Sequence, residues 1–175
     1  VGEGPFFHRP GVRLLLLLIV ATVPTALIGL SLEDVFERLF HNPTAVGIAF
    51  AITGTVLWLT GRIPHGTTQA HGISVSRAAT IGLAQGLAIT PGISRSGSTI
   101  AAALFLGMER EAAARFSFLL SIPAIAGAVV LKAGDMVLEP AHVGPIVVGI
   151  VSSALSGYLA LTFLIRLVRK GDFRA

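Results

Sequence analysis

The sequence predicts an all-α polytopic membrane protein with about four transmembrane helices and one re-entrant helix hairpin. Three observations predict it. Of the 175 residues, 53% are hydrophobic and only 13% charged, against about 25% charged in a soluble domain, and the mean hydropathy is +0.82. Apolar stretches near the roughly 20 residues needed to cross a hydrocarbon core recur along the chain. The basic residues flank these stretches instead of lining one face, so the pI near 10.7 reflects topology and indicates no nucleic-acid partner. With no cysteine, disulfides, thiolate catalysis and cysteine-bound metals are excluded.

Before the first span, Val1 carries no preceding Met and the stretch through Arg13 (VGEGPFFHRPGVR) lacks a signal-peptide layout. It reads as an interhelical loop, and residues 1–175 are expected to be one membrane domain from a longer chain. The first span is 14–32, interrupted only by Thr22, Pro24, Thr25 and Ser31. The second is 44–61, slightly short, with Trp58 as an interface anchor.

Residues 77–108 break the pattern: RAATIGLAQGLAIT, then PGISRSGS, then TIAAALFLGM. Each apolar arm of about a dozen residues rises roughly 18 Å, about halfway across a bilayer. The polar stretch between the arms cannot continue a helix through lipid, and such backbone survives only inside protein or beside a wet cavity. A re-entrant hairpin is predicted. The span 112–131, containing Pro123, follows. The last, 143–165, carries Gly149, Ser153 and Gly157 at a spacing that admits a neighbouring helix closely.

Charge counting supports the hairpin. If the segment returns to its own side, that side collects Arg9, Arg13, Arg62, Arg77, Arg110, Arg115, Arg166, Arg169, Lys170 and Arg174, ten against Arg38 and Lys132 opposite. A single crossing would leave five against seven. The stronger positive-inside bias selects the hairpin and sets its mouth toward the cytoplasm.

The tip, Pro91 to Thr99, gathers the chemistry. Pro91 stops the first arm and Gly92 permits a sharp turn. The second arm is expected to begin near Ser98, capped by Ser96, Ser98 or Thr99. Unbonded N–H groups, the positive end of a helix dipole, several hydroxyls and the Arg95 guanidinium then share a small volume, which suits an anion and best of all phosphate. An uncompensated Arg at depth costs at least about 3 kcal/mol, and no carboxylate within the spans offsets Arg95; Glu109 and Glu111 sit at the hairpin base. A purely structural Arg bonded to loop carbonyls would leave the hydroxyls unexplained.

The stretch GLAQGLAITPGISRSGSTIAAALFLGMEREAAARFSFLLSIPAIAGA, from Gly82 to Ala128, resembles the signature region of the bacitracin-resistance type undecaprenyl-diphosphate phosphatases. HRPGVRLLLLLIVATVPTALIGL, from His8 to Leu30, and the terminal span are also similar to that family. The resemblance implies an enzyme of the bacterial inner (plasma) membrane that hydrolyses undecaprenyl diphosphate to the monophosphate, recycling the cell-wall lipid carrier. It implies an inverted-repeat fold of which this chain is the C-terminal part. Ser94, Arg95 and Thr99 correspond to the motif's phosphate-contacting serine, arginine and threonine. Gly92 and Gly97 take its turn positions, with Ser96 and Ser98 beside them, and Gln85 its polar position in the first arm. A divalent cation, Mg or Ca, is implied as cofactor, with undecaprenyl diphosphate and membrane lipid as partners; a homo-oligomer is compatible with the sequence.

The family's acidic motif, EGxTEFLPxSSTGH, is absent. Glu3-Gly4 starts similarly, but Pro5-Phe6-Phe7-His8 does not continue it. Metal ligands and a base are therefore expected upstream of Val1, none in this chain, and these residues alone are expected to be inactive. Ser94 is a candidate nucleophile, although no His or carboxylate beside it in sequence would activate it, and a phosphate-binding hydroxyl is the simpler role. His8, His41, His65, His71 and His142 read as solvated loop residues. Two further classes remain open: a transporter or flippase of a phosphorylated polyprenyl lipid, and a non-catalytic membrane subunit that lends the hairpin to a partner.

Overall fold

A computed structural model describes residues 10–64, 66–133 and 140–169, and among them the regular structure is helical apart from one isolated β-bridge. Among the described residues four helices are long and apolar enough to cross a membrane: α1 (Pro10–Ser31), α3 (Pro43–Thr60), α6 (Arg110–Ala133) and, within α7 (Pro140–Arg169), Val143–Ala160. The protein is an all-α, multi-pass membrane protein. Between the long helices lie α2 (Glu33–Phe40), α4 (Val75–Leu87) and α5 (Arg95–Phe105).

Helix ends follow local chemistry. Pro10 opens α1, where a missing N–H costs nothing. Asn42 caps α3 by accepting from the Ala45 N–H at 3.1 Å, with Pro43 next. Ser74 caps α4 through the Arg77 N–H at 3.3 Å. No element was predicted between the first two spans, yet α2 is there, with Glu33 and Asp34 in its first turn and Arg38 in its last, complementing the helix dipole. Eight residues are too few to register against a search for apolar spans.

The base of the bundle shows that residues 75–105 form a hairpin. Arg13 Nη2 donates to Ile73 O at 3.4 Å, joining the start of α1 to the start of α4. Arg110 Nη2 donates to Thr60 O at 3.3 Å, joining the start of α6 to the end of α3. Thr68 N donates to Gly107 O at 3.2 Å and Glu109 N to Thr68 O at 3.0 Å, which ties the residues after α5 to the loop before α4. The segment therefore leaves from and returns to the same end, and its two short helices pack on one another.

The core joins Leu17, Leu18 and Ala21 of α1 to Ala78 and Ile81 of α4, Ala103 and Leu104 of α5, and Ala113, Phe116 and Leu120 of α6. The most extensive contact is between α1 and α4. These helices run the same way, with Gly82 against Ala21 and Gly86 against Ile28. A Cβ at Gly82 would lie 2.0 Å from Ala21 O, so only glycine permits this approach. Ala78, Gly82 and Gly86 form a small-residue stripe of the kind that lets membrane helices touch backbone to backbone. Leu15, Ile19, Val23 and Leu27 of α1 turn outward, as lipid-facing residues do.

The described residues from Lys132 onward belong to a separate unit. Within α7, Ser152 and Ser156 satisfy their hydroxyls on Gly149 O and Ser153 O of the same helix.

Candidate functional site

The site is built from the turn between α4 and α5 upward. Ala88 closes α4, and the chain reverses through Pro91 and Gly92. Gly92 adopts φ +90°, and a Cβ there would lie 2.5 Å from Val46 O and 2.9 Å from Ala49 Cβ on α3. Both conformation and space demand glycine. Thr53, also on α3, donates from Oγ1 to Gly92 O at 3.2 Å and accepts from the Ser94 N–H at 3.2 Å.

The predicted start of the second arm near Ser98 is corrected. Helix α5 begins at Arg95, and its cap is Ser94, whose Oγ accepts from the Gly97 N–H at 3.1 Å. Ser96, Ser98 and Thr99 lie inside the first turns and cap nothing. The Thr53 bonds end the reversal early enough for the first available serine to take the cap. The Ser98 N–H bonds Ser94 O at 2.9 Å, leaving the Arg95 and Ser96 N–H groups without an acceptor among the described residues. Those two amides sit at the positive end of the helix dipole.

Arg95 is half-buried, and among the described residues its guanidinium has no hydrogen-bond or ion-pair partner. Base carboxylates are occupied elsewhere: Gln69 Nε2 donates to Glu109 Oε2, and Glu111 faces Arg115 at 3.9 Å. Ser94, Arg95 and Ser98 share a face of α5 by their spacing. Ser96 is exposed beside them. No His, Asp or Glu among the described residues bonds Ser94, so nothing there would take its proton.

Thr99 and Gln85 are placed differently from these. The Thr99 hydroxyl lies 2.9 Å from Arg95 O, 3.1 Å from Ser96 O and 2.6 Å from Ser117 Oγ of α6, in a buried contact. It holds the first turn of α5 against α6 and presents no open hydroxyl at the tip. Gln85 is 1% exposed. Its Nε2 donates to Thr25 Oγ1 at 3.1 Å, and Thr25 in turn donates to Gly82 O at 2.9 Å, in the seam between α1 and α4. The opposite amide oxygen, Oε1, is buried without a partner. Thr25, Thr53 and Ser117 were not foreseen as parts of the site; the only signal is a hydroxyl inside an apolar helix.

Among the described residues no three His, Asp or Glu converge to hold a metal ion, and the tip carries no carboxylate. The donor set therefore does not fit a divalent cation at this site. His41 Nδ1 donates to Glu37 O at 3.0 Å. His71 lines a cleft of about 290 Å³ with Gln69, Glu109, Glu111 and Arg115, at the hairpin base and not at the tip. His8, His65, Lys170, Arg174 and the Glu3-Gly4 stretch lie outside the described residues, as does the side chain of His142.

Residues 3–175 match the family described as bacitracin resistance protein BacA. The undecaprenyl-diphosphatase of Carboxydothermus hydrogenoformans is 49% identical over 168 residues, covering 93% of this chain and 64% of that protein. That of Desulfosudis oleivorans is 49% identical over 164 residues, covering 93% and 60%. The undecaprenyl-diphosphatase of Methanothermobacter thermautotrophicus is 45% identical over 160 residues, covering 89% and 88%. The chain thus spans somewhat under two thirds of the first two relatives and most of the third.

Proposed function

The chain belongs to the bacitracin resistance protein BacA family, and from that premise we propose that it supplies the phosphate-holding part of an undecaprenyl-diphosphatase of the plasma (inner) membrane. The reaction is hydrolysis of undecaprenyl diphosphate to undecaprenyl phosphate and inorganic phosphate. The prenyl chain stays in lipid while the diphosphate reaches the hairpin tip. Arg95 takes the terminal phosphate as a bidentate fork, and the Arg95 and Ser96 N–H groups add donors along the helix dipole. Fixed donors of this kind offset the charge that develops during phosphoryl transfer without reorganising.

Ser94 acts as a cap and phosphate donor. Its oxygen already accepts from Gly97 N while its own proton remains available, which supports donation over nucleophilic attack. Ser98 shares its face. The attacking water, its base and any divalent cation, Mg or Ca, belong with residues beyond those described, because no carboxylate among the described residues lies at the tip. A tip about 20 Å along α4 from its base lies deep enough to meet a headgroup from the far leaflet.

One observation carries this reading: a half-buried arginine with no ion-pair partner among the described residues, at a helix N-terminus where two amides likewise find no acceptor among them. The test is phosphate release from undecaprenyl diphosphate by the intact protein that carries this chain, beside Arg95→Ala and Arg95→Lys. Both variants should lose about a hundredfold or more, because a point charge does not reproduce a planar fork. Near-normal turnover by Arg95→Lys defeats the fork. Lipid translocation without phosphate release would make the protein a transporter instead.

A further inference from the structure

We propose that Thr53 of α3 is a positioning residue for the anion site, its hydroxyl fixing the direction in which the N-terminus of α5 faces; the proposal rests on the phosphatase reading. Hydroxyls within apolar helices usually close on a carbonyl of their own helix. Thr22, Thr55, Thr60 and Thr80 do so, three or four residues back. Thr53 instead reaches across to the hairpin, donating to Gly92 O and accepting from Ser94 N, both at 3.2 Å.

Those two bonds bracket Ile93, between the positive-φ glycine and the cap of α5. They occupy the Ser94 N–H, so the donors without an acceptor among the described residues are those of Arg95 and Ser96. The same face of α3 touches the tip at three further points: Val46 and Ala49 against Gly92, and Leu57 against Gly97. Thr53 is the polar member of that otherwise apolar face, and its neighbours supply shape while it supplies direction. Without the hydroxyl, Gly92 O and Ser94 N lose their partner, and the turn rotates to find others. Arg95, the next residue, moves with it, and displacements of about 1 Å at a reacting centre cost large factors in rate.

The test uses the intact protein carrying this chain, in lipid nanodiscs, as wild type, Thr53→Val, Thr53→Ser and Thr55→Val. Thr55→Val controls for loss of a self-bonded hydroxyl on the same helix. Readouts are kcat and KM for phosphate release from undecaprenyl diphosphate, Tm, and amide exchange over residues 92–97. Thr53→Val should lose about tenfold or more in kcat with a smaller change in KM, exchange its tip amides faster, and keep the Tm of Thr55→Val. Thr53→Ser should restore both rate and protection. Turnover by Thr53→Val equal to that of Thr55→Val overturns the proposal, as does Thr53→Ser failing to exceed Thr53→Val. An inactive wild type overturns the phosphatase reading and the positioning role with it, an outcome distinct from either of these.

Discussion

Gly82→Ala tests whether the hairpin is held by backbone contact. The new Cβ would sit 2.0 Å from Ala21 O, 2.7 Å from Ala21 C and 2.9 Å from Ala21 Cα. All three are backbone atoms, so no side-chain rotation relieves the clash. Non-bonded heavy atoms rest near 3.5 Å, and α1 and α4 must part by roughly 1 Å or more. Thr25 Oγ1 to Gly82 O would then stretch from 2.9 Å past hydrogen-bond range, loosening the Gln85–Thr25 bond beside it. Two intramembrane hydrogen bonds average about 0.6 kcal/mol each, and overpacking adds about 1–3 kcal/mol. Better helix propensity returns up to about 1 kcal/mol. The net expected loss is about 1–3 kcal/mol, read by reversible unfolding in mixed micelles. Gly54→Ala, where nothing lies within 4 Å of the added carbon, gains propensity alone and should be neutral or stabilising. Equal stability of the two variants refutes the reasoning.

Gly92→Ala meets both φ +90° and Val46 O at 2.5 Å, so phosphate release should be lost and the turn should become open to protease. Ser117→Ala removes the α6 partner of Thr99 but leaves Thr99 its carbonyls; an unfolding measurement should show a loss of about 0.5–1.5 kcal/mol. Gln85→Leu deletes one bond to Thr25 together with the orphaned Oε1, and unfolding should place it within about 1 kcal/mol of wild type because the two effects oppose.

Legibility followed physical scale. Helix length and flanking charge are properties of whole segments, so α1, α3, α6 and the two half-length arms could be read from composition, spacing and arginine placement. The cap of α5 could not: the PGISRSGST run offers four hydroxyls within six residues, and bonds from Thr53, some forty positions away in sequence, select Ser94. Thr25, Thr53, Thr99 and Ser117 share this difficulty. A hydroxyl in an apolar helix has its own i−4 carbonyl within reach, and only the packed neighbour decides whether it looks inward or across. The stripe at Ala78, Gly82 and Gly86 was open to view, as was the one at Gly149, Ser153 and Gly157. Spacing alone names no partner, so it could not tell which of the two stripes meets a neighbouring helix.

The placement of the tight contacts bears on Arg95. An arginine within the bilayer costs at least about 3 kcal/mol, and a soft tip would recover that cost by letting the side chain reach the surface. Here it is held. Backbone-to-backbone packing of α4 on α1 fixes one arm of the hairpin. Val46, Ala49 and Thr53 fix the turn, and Thr99 against Ser117 fixes the other arm. The guanidinium therefore stays half-buried beside two amides that have no acceptor among the described residues, which is the arrangement the proposed phosphate site rests on. Rigidity at Gly82, Gly92 and Thr53 and the fixed position of Arg95 are thus two sides of one arrangement. Variants that loosen the frame should lower activity before they unfold the protein, because the tip can turn away from the anion at less cost than the helices can separate.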